Sequence, residues 1–167
     1  EATASQALEK RKTVKTIERI VDDMTDFGRL QFAANMGIDV RRNSKTVYEN
    51  MLYEKIANDP IESLKRYNNP RREIWEIFNL SVQCNVVMYK SGGYYYGSTL
   101  MGTDKRMAVQ WLSDGDNGSV LSAIKSQVDE ALGIKIAGVS TKKDAGSAGS
   151  SETGAGNGSS ETKPGLF

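Results

Sequence analysis

The sequence predicts an α+β fold that is mainly α-helical: a helical body, one β-hairpin and a disordered-type C-terminal tail. Three observations lead there. Through residue 84, apolar side chains recur three and four apart, the period of a helix with one buried face. After Asn85 the period changes to short β-rich runs around Ser91-Gly92-Gly93. From Ser140 the composition turns to Gly and Ser.

Between residues 5 and 36, Val14, Ile17, Val21 and Met24 form one stripe, and Ile20, Phe27, Leu30 and Ala34 widen it. Gly37 suits the left-handed position that closes a helix, and Gly28 is the expected interruption if the segment is two helices. Asn43 or Ser44 caps the next helix, whose apolar face is Val47, Tyr48, Met51, Leu52 and Ile56. Asp59-Pro60-Ile61-Glu62 is a start signal: a carboxylate cap, proline at the first helical position and a glutamate placed to close a capping box. That short helix ends near Tyr67. Asn69-Pro70 starts another, with Ile74, Trp75, Ile77, Phe78 and Val82 inward. Val86–Lys90 and Tyr94–Tyr96 pair as the hairpin, and a bend at Gly97-Ser98 leads into Thr99-Leu100-Met101. Thr103 is expected to cap a helix holding Met107, Val109, Trp111 and Leu112. After the loop 114–118, Ser119 to Leu132 forms the last helix, with Val120, Ile124, Val128 and Leu132 on one face and Gly133 beyond its end.

This order divides the chain into an N-terminal helical region at 1–58, a helix–hairpin–helix region at 59–139 and a tail at 140–167. The tail holds six Gly and six Ser, repeats Ser-Ser-Glu-Thr at 150–153 and 159–162, and has no aromatic before Phe167. Such a composition buries too little apolar area to offset its ordering entropy, so it is expected to be a tether. Leu166 and Phe167 at its tip read as a docking peptide or as an ordinary chain end. The chain opens on Glu1, a start that processing or cloning would equally give. No signal-peptide run stands near it, and apolar stretches such as Val86-Val87-Met88 fall far short of the ~20 residues a spanning helix needs.

The 167 residues include 22 Lys or Arg, 21 Asp or Glu, one Cys and no His. Without His there is no Ser-His-Asp triad, no Cys-His pair and no imidazole metal ligand. One thiol excludes an internal disulfide and a Cys-rich zinc site. Asp114, Asp116 and Gly118 invite a calcium-loop reading, but the twelfth position from Asp114 is Lys125 where a Glu belongs, and the glycine stands fifth instead of sixth. Gly92-Gly93 lacks the spacing of a phosphate loop and feeds no helix. Glu73/Glu76 and Asp22/Asp26 have the spacing of solvated helix faces, and nothing near Cys84 in sequence would activate its thiol. The expectation is a non-enzymatic protein with no metal, no cofactor and no small-molecule substrate.

The net charge of +1 is uneven: residues 41–72 carry +4, residues 1–40 carry −1 and residues 73–167 carry −2. Arg41, Arg42, Lys45, Lys65, Arg66, Arg71 and Arg72, with Lys90 in the hairpin, are therefore the candidate nucleic-acid contacts. Arg71 and Arg72 open a helix, where cations oppose the dipole and gain nothing locally. A mixed-charge surface with local pairs such as Glu62–Arg66 accounts for the same residues.

Residues Leu30 to Ile56, with Gly37, Ile38 and Lys45, resemble the helix-extended-loop-helix modules of the SAP and Rho N-terminal type, which implies nucleic-acid binding. Asp59 to Met101 is similar to a winged helix. That resemblance implies a recognition helix at Pro70–Cys84 and a wing tip at Lys90-Ser91-Gly92-Gly93, although Glu73 and Glu76 on the helix would oppose a phosphate groove. The run from Tyr94 to Thr103, followed by Ala108-Val109-Gln110-Trp111-Leu112, resembles proteins of large tailed bacteriophages, which implies a virion or host-cytoplasmic setting, neither secreted nor membrane-bound. Tyr94 and Tyr96, two apart in a strand, share a face and are candidate partner contacts, with Leu166 and Phe167. The leading expectation is a structural or assembly protein that docks to other protein subunits and threads its tail among them. The alternative is a nucleic-acid-binding accessory protein of phage replication, transcription or packaging.

Overall fold

The structure, a computed structural model, describes residues 2–133. The expected tail, with Leu166 and Phe167, lies outside the described residues. Two helices, α1 (Ala2–Asp22) and α2 (Asp26–Asn35), occupy the first stripe. They part at Asp23-Met24-Thr25, not at Gly28. Thr25 is the N-cap of α2, its Oγ1 accepting from the Gly28 N–H at 3.0 Å, so the glycine lies inside the first turn. Arg29 locks the break. Its Nη1 donates to the carbonyls of Val21 (3.2 Å), Asp22 (3.2 Å) and Met24 (2.9 Å), at and just beyond the end of α1. Its Nη2 donates to Asp26 at 2.7 Å and its Nε to Glu49 at 3.0 Å.

Gly37 does close the segment in the left-handed region, at φ +81. Ser44 is the N-cap of α3 (Lys45–Asn58), and Asp59 that of α4 (Pro60–Tyr67), accepting from the Glu62 N–H at 3.2 Å. The capping box does not close, because the Asp59 N–H donates to Lys55 O at 2.9 Å and the Glu62 carboxylate accepts from Arg66 at 3.2 Å. After the Asn68-Asn69-Pro70 turn comes α5 (Arg72–Gln83).

The single expected hairpin is a three-stranded antiparallel sheet: β1 (Met88–Lys90), β2 (Gly93–Tyr96) and β3 (Thr99–Gly102), paired in sequence order. The bend at Gly97 is itself a tight turn, with φ +60, and it folds Thr99-Leu100-Met101 back as a third strand. Then α6 (Lys105–Ser113) starts on Asp104, whose Oδ1 accepts from the Met107 N–H at 2.8 Å. Thr103, the expected cap, instead turns its hydroxyl to the Met107 sulfur. Asp114 caps a single 3-10 turn, and α7 (Gly118–Ala131) follows, closed by Gly133 at φ +68.

α4 packs on α1 and α3, while α5 packs on α2, α6 and α7. These contacts gather the described elements into one compact unit. A continuous core runs from Ile17, Val21, Phe32, Leu52 and Ile56 to Phe78, Leu80, Leu112 and Ile124, all essentially fully buried. At about 25 cal/mol per Å² of apolar surface, burial of this set drives the fold. The helix-turn-helix of the winged-helix resemblance would lay α4 across α5, but the chief neighbours of α4 are α1 and α3. Nor is α5 displayed as a recognition helix: Glu76, Ile77, Phe78, Leu80 and Ser81 are all buried.

Candidate functional site

Most of the cations singled out between residues 41 and 72 hold the fold together. Arg41 donates to Ala131 O at 2.7 Å, at the end of α7, and Arg66 to Asn35 O at 2.6 Å, at the end of α2. Lys55 joins Arg66 there, donating to Met36 O at 2.8 Å, so two cations face the negative end of one helix dipole. Lys45 pairs with Asp26 at 2.9 Å, which together with Arg29 holds that carboxyl below its usual range. Arg42 stands 3.7 Å from Asp39 with its side chain 89 % exposed, and Lys90 reaches toward Gly97 O and the face of Tyr95. The Arg72 guanidinium stacks 4.3 Å from the Tyr67 ring and lies 3.5 Å from Glu76. Lys65 and Arg71 are exposed and have no side-chain partner among the described residues.

A second cationic set, missed from the sequence, lies on α1. Arg11, Lys12, Lys15 and Arg19 are all exposed and recur at helical spacing, on an arc roughly opposite the buried Ile17 and Val21. Leu8, 54 % exposed, sits within the same arc. Arg11, Lys15 and Arg19 have no partner among the described residues, and Lys12 has only Glu9 at 3.7 Å. Averaging charge over residues 1–40 hid this face, since the seven carboxylates of that stretch cancel its cations in the sum.

The sheet has two unlike faces. Met88 pairs with Tyr95, and Tyr95 with Leu100, so one apolar row crosses all three strands on the outer side. Met88 and Leu100 are each 47 % exposed, and Lys90 lies over the Tyr95 ring at 5.2 Å. Leu100 also covers Gly93, where an added Cβ would lie 2.5 Å from Leu100 Cδ1. The inner side holds Tyr94, 5.1 Å from Phe78 and 4.9 Å from Tyr89 between ring centroids, and Tyr96, whose hydroxyl accepts from Gln127. Tyr94 and Tyr96 do share a face, and that face packs on the core.

Glu76, read as part of a solvated face, is 6 % exposed, and burial raises its pKa to about 7 against the pull of Arg72. Burial likewise pushes the Cys84 thiol up, with Arg41 opposing, which lowers its nucleophilic fraction. In the 114–118 loop Asp114 Oδ1 accepts from the Asp116 N–H at 3.0 Å, the hydrogen bond of a capping turn. Among the described residues no three His, Cys, Asp or Glu side chains gather as a metal cage, and no helix is long and apolar enough to cross a membrane. No family model, no curated protein and no solved structure matches this chain.

Proposed function

We propose that this chain is a non-enzymatic structural or assembly protein that docks to neighbouring protein subunits, with the tailed-phage particle as the setting implied by the resemblance at Tyr94–Leu112. The observation that carries the reading is the outer row Met88–Tyr95–Leu100. A soluble sheet face ordinarily alternates toward polar residues, whereas here large apolar side chains line up across every strand. Tyr95 adds broad contact area at small entropy cost. Co-purification from the native source tests it: the chain should arrive with other particle proteins, and Leu100→Ser with Met88→Ser should release it without unfolding it. Recovery of the parent chain alone, as a monodisperse monomer, counts against the reading.

One observation favours a second reading, in which the protein binds nucleic acid: the unspent cations of α1. Arg11 to Arg19 spans about 12 Å of helix axis, so four cations stand about one per 3–4 Å, comparable to the ~3.4 Å phosphate rise along a duplex strand. Replacing Arg11, Lys15 and Arg19 by Gln should flatten the log K against log salt slope by about 0.9 for each lost phosphate contact. Equal slopes, or no DNA or RNA binding at low salt, would end this reading.

A further inference from the structure

A cleft of about 300 Å³ opens where the end of α2, the α4 helix, the turn after it, α5 and the start of α6 meet, and it is lined by Asn35, Glu62, Arg66, Asn69, Trp75 and Arg106. Asn35 borders this cleft; the residue is only 5 % exposed, and its side-chain amide, which has no hydrogen-bond partner among the described residues, is open to solvent there, since no fully buried side-chain polar atom is left unpaired among them. An occupant that pairs with this amide exchanges a hydrogen bond to water for one of its own, a modest gain. The two guanidinium groups are not equivalent. Arg66 is already engaged, by Asn35 O at 2.6 Å and Glu62 at 3.2 Å, whereas Arg106 is exposed and has no partner among the described residues. Asn69 Oδ1 accepts from the Arg71 N–H at 2.8 Å, which leaves its NH2 free, and the Trp75 indole N–H has no acceptor among the described residues.

The unspent groups are therefore mostly donors: one guanidinium, two amides and an indole. One free positive charge beside neutral donors suits a planar monoanion, and the Glu62 carboxylate in the lining disfavours a second negative charge. We propose that this cleft binds a carboxylate, with Arg106 as its charge partner, Asn35 and Asn69 as amide donors, and Trp75 as the wall for a flat or apolar group attached to it. The carboxylate can come from a small organic acid or from an Asp or Glu side chain of a partner protein. The inference does not depend on the sheet-face reading above, and its test reads a different residue.

The full chain, labelled with 15N, is titrated with benzoate, with N-acetyl-glutamate amide and with inorganic phosphate. The indole N–H of Trp75 is followed, assigned by its disappearance in Trp75→Phe. Saturable shifts with the carboxylates, at least about ten-fold weaker with phosphate, are expected. Tighter binding of benzoate points to a small acid and tighter binding of the glutamate amide to a partner's side chain; both support the site. Arg106→Gln, an exposed change that leaves the core untouched, should weaken binding about ten-fold, and Arg106→Lys should restore part of it. A response that does not saturate with either carboxylate, phosphate binding as tight as theirs, or an unchanged affinity in Arg106→Gln would overturn the proposal.

Discussion

Replacing Glu76 by Gln should remove most of the stability this protein loses between about pH 5 and about pH 8. The side chain sits on α5 inside the helical body, 6 % exposed, with Arg72 Nε 3.5 Å away as its nearest charge. Arg72 is partly diverted, since its guanidinium stacks on Tyr67, and burial outweighs its attraction: the pKa rises from 4.5 to about 7, with Glu73 adding to the rise. Between those values the folded chain keeps a proton that the unfolded chain releases, so unfolding becomes easier as pH climbs. The contribution is whole below pH 4.5 and is lost as pH rises through about 7. The interval corresponds to about 3 kcal/mol, of which about 2.5 kcal/mol falls between pH 5 and pH 8. Urea unfolding followed by far-ultraviolet circular dichroism at both pH values measures it. The parent should lose about 2.5 kcal/mol more than Glu76→Gln over that span. Parallel pH slopes in the two proteins would refute the reasoning, because they would mean Glu76 is ionised, and adequately solvated, at both.

The Arg29 clamp should be intolerant of a conservative change: Arg29→Lys keeps the charge but not the fork that reaches three carbonyls and two carboxylates, and should cost about 2 kcal/mol in urea unfolding, with no change in midpoint counting against the clamp. Gly102 is required by space: an added Cβ would lie 2.6 Å from Ala108 N and 2.7 Å from Met107 Cβ, so Gly102→Ala should cost about 1–3 kcal/mol by pushing α6 off the sheet. Gly115→Ala, which meets nothing within 4 Å, is the control and should stay within about 0.5 kcal/mol; equal effects of the two changes would show that the close approach is not the reason for the glycine.

Much of the fold was legible because its signals are local. Gly37 and Gly133 end helices in the left-handed region, Asp59-Pro60 starts one, and Tyr48, Leu52 and Ile56 of α3 and Ile124 and Val128 of α7 are buried as expected, although Val47, expected on the α3 face, is 45 % exposed. The misreadings share a cause: two residues competed for one local role and tertiary contacts chose between them. Thr25 took the break from Gly28 because Arg29 ties up the carbonyls just before it, and Asp104 took the cap from Thr103. The third strand was read only as a bend because four residues after a glycine carry too little alternation to distinguish a strand from a loop. Glu76 was misplaced for a similar reason. Spacing puts it on a polar stripe with Glu73, and only the arrival of α2, α6 and α7 around α5 buries it. The six residues lining the cleft do not announce a common site, since they come from four helices and the turn after α4.

The cations carry the same lesson into function. Summed along the chain, residues 41–72 are the basic segment, yet five of its eight cations spend their charge on the protein itself: Arg41, Lys55 and Arg66 on helix-end or loop carbonyls, Lys45 on Asp26, Arg72 on Tyr67 and Glu76. A guanidinium that already satisfies a carbonyl must break that bond to meet a phosphate, so its net contribution to an interface shrinks. The four cations of α1 and the lone Arg106 face no such cost beyond the exposed Lys12–Glu9 contact, which is weak. What an external anion meets is therefore set by which positive groups remain unspent after folding: Arg42, Lys65 and Arg71 within the basic stretch, and outside it the cations of α1 and Arg106 at the mouth of the cleft.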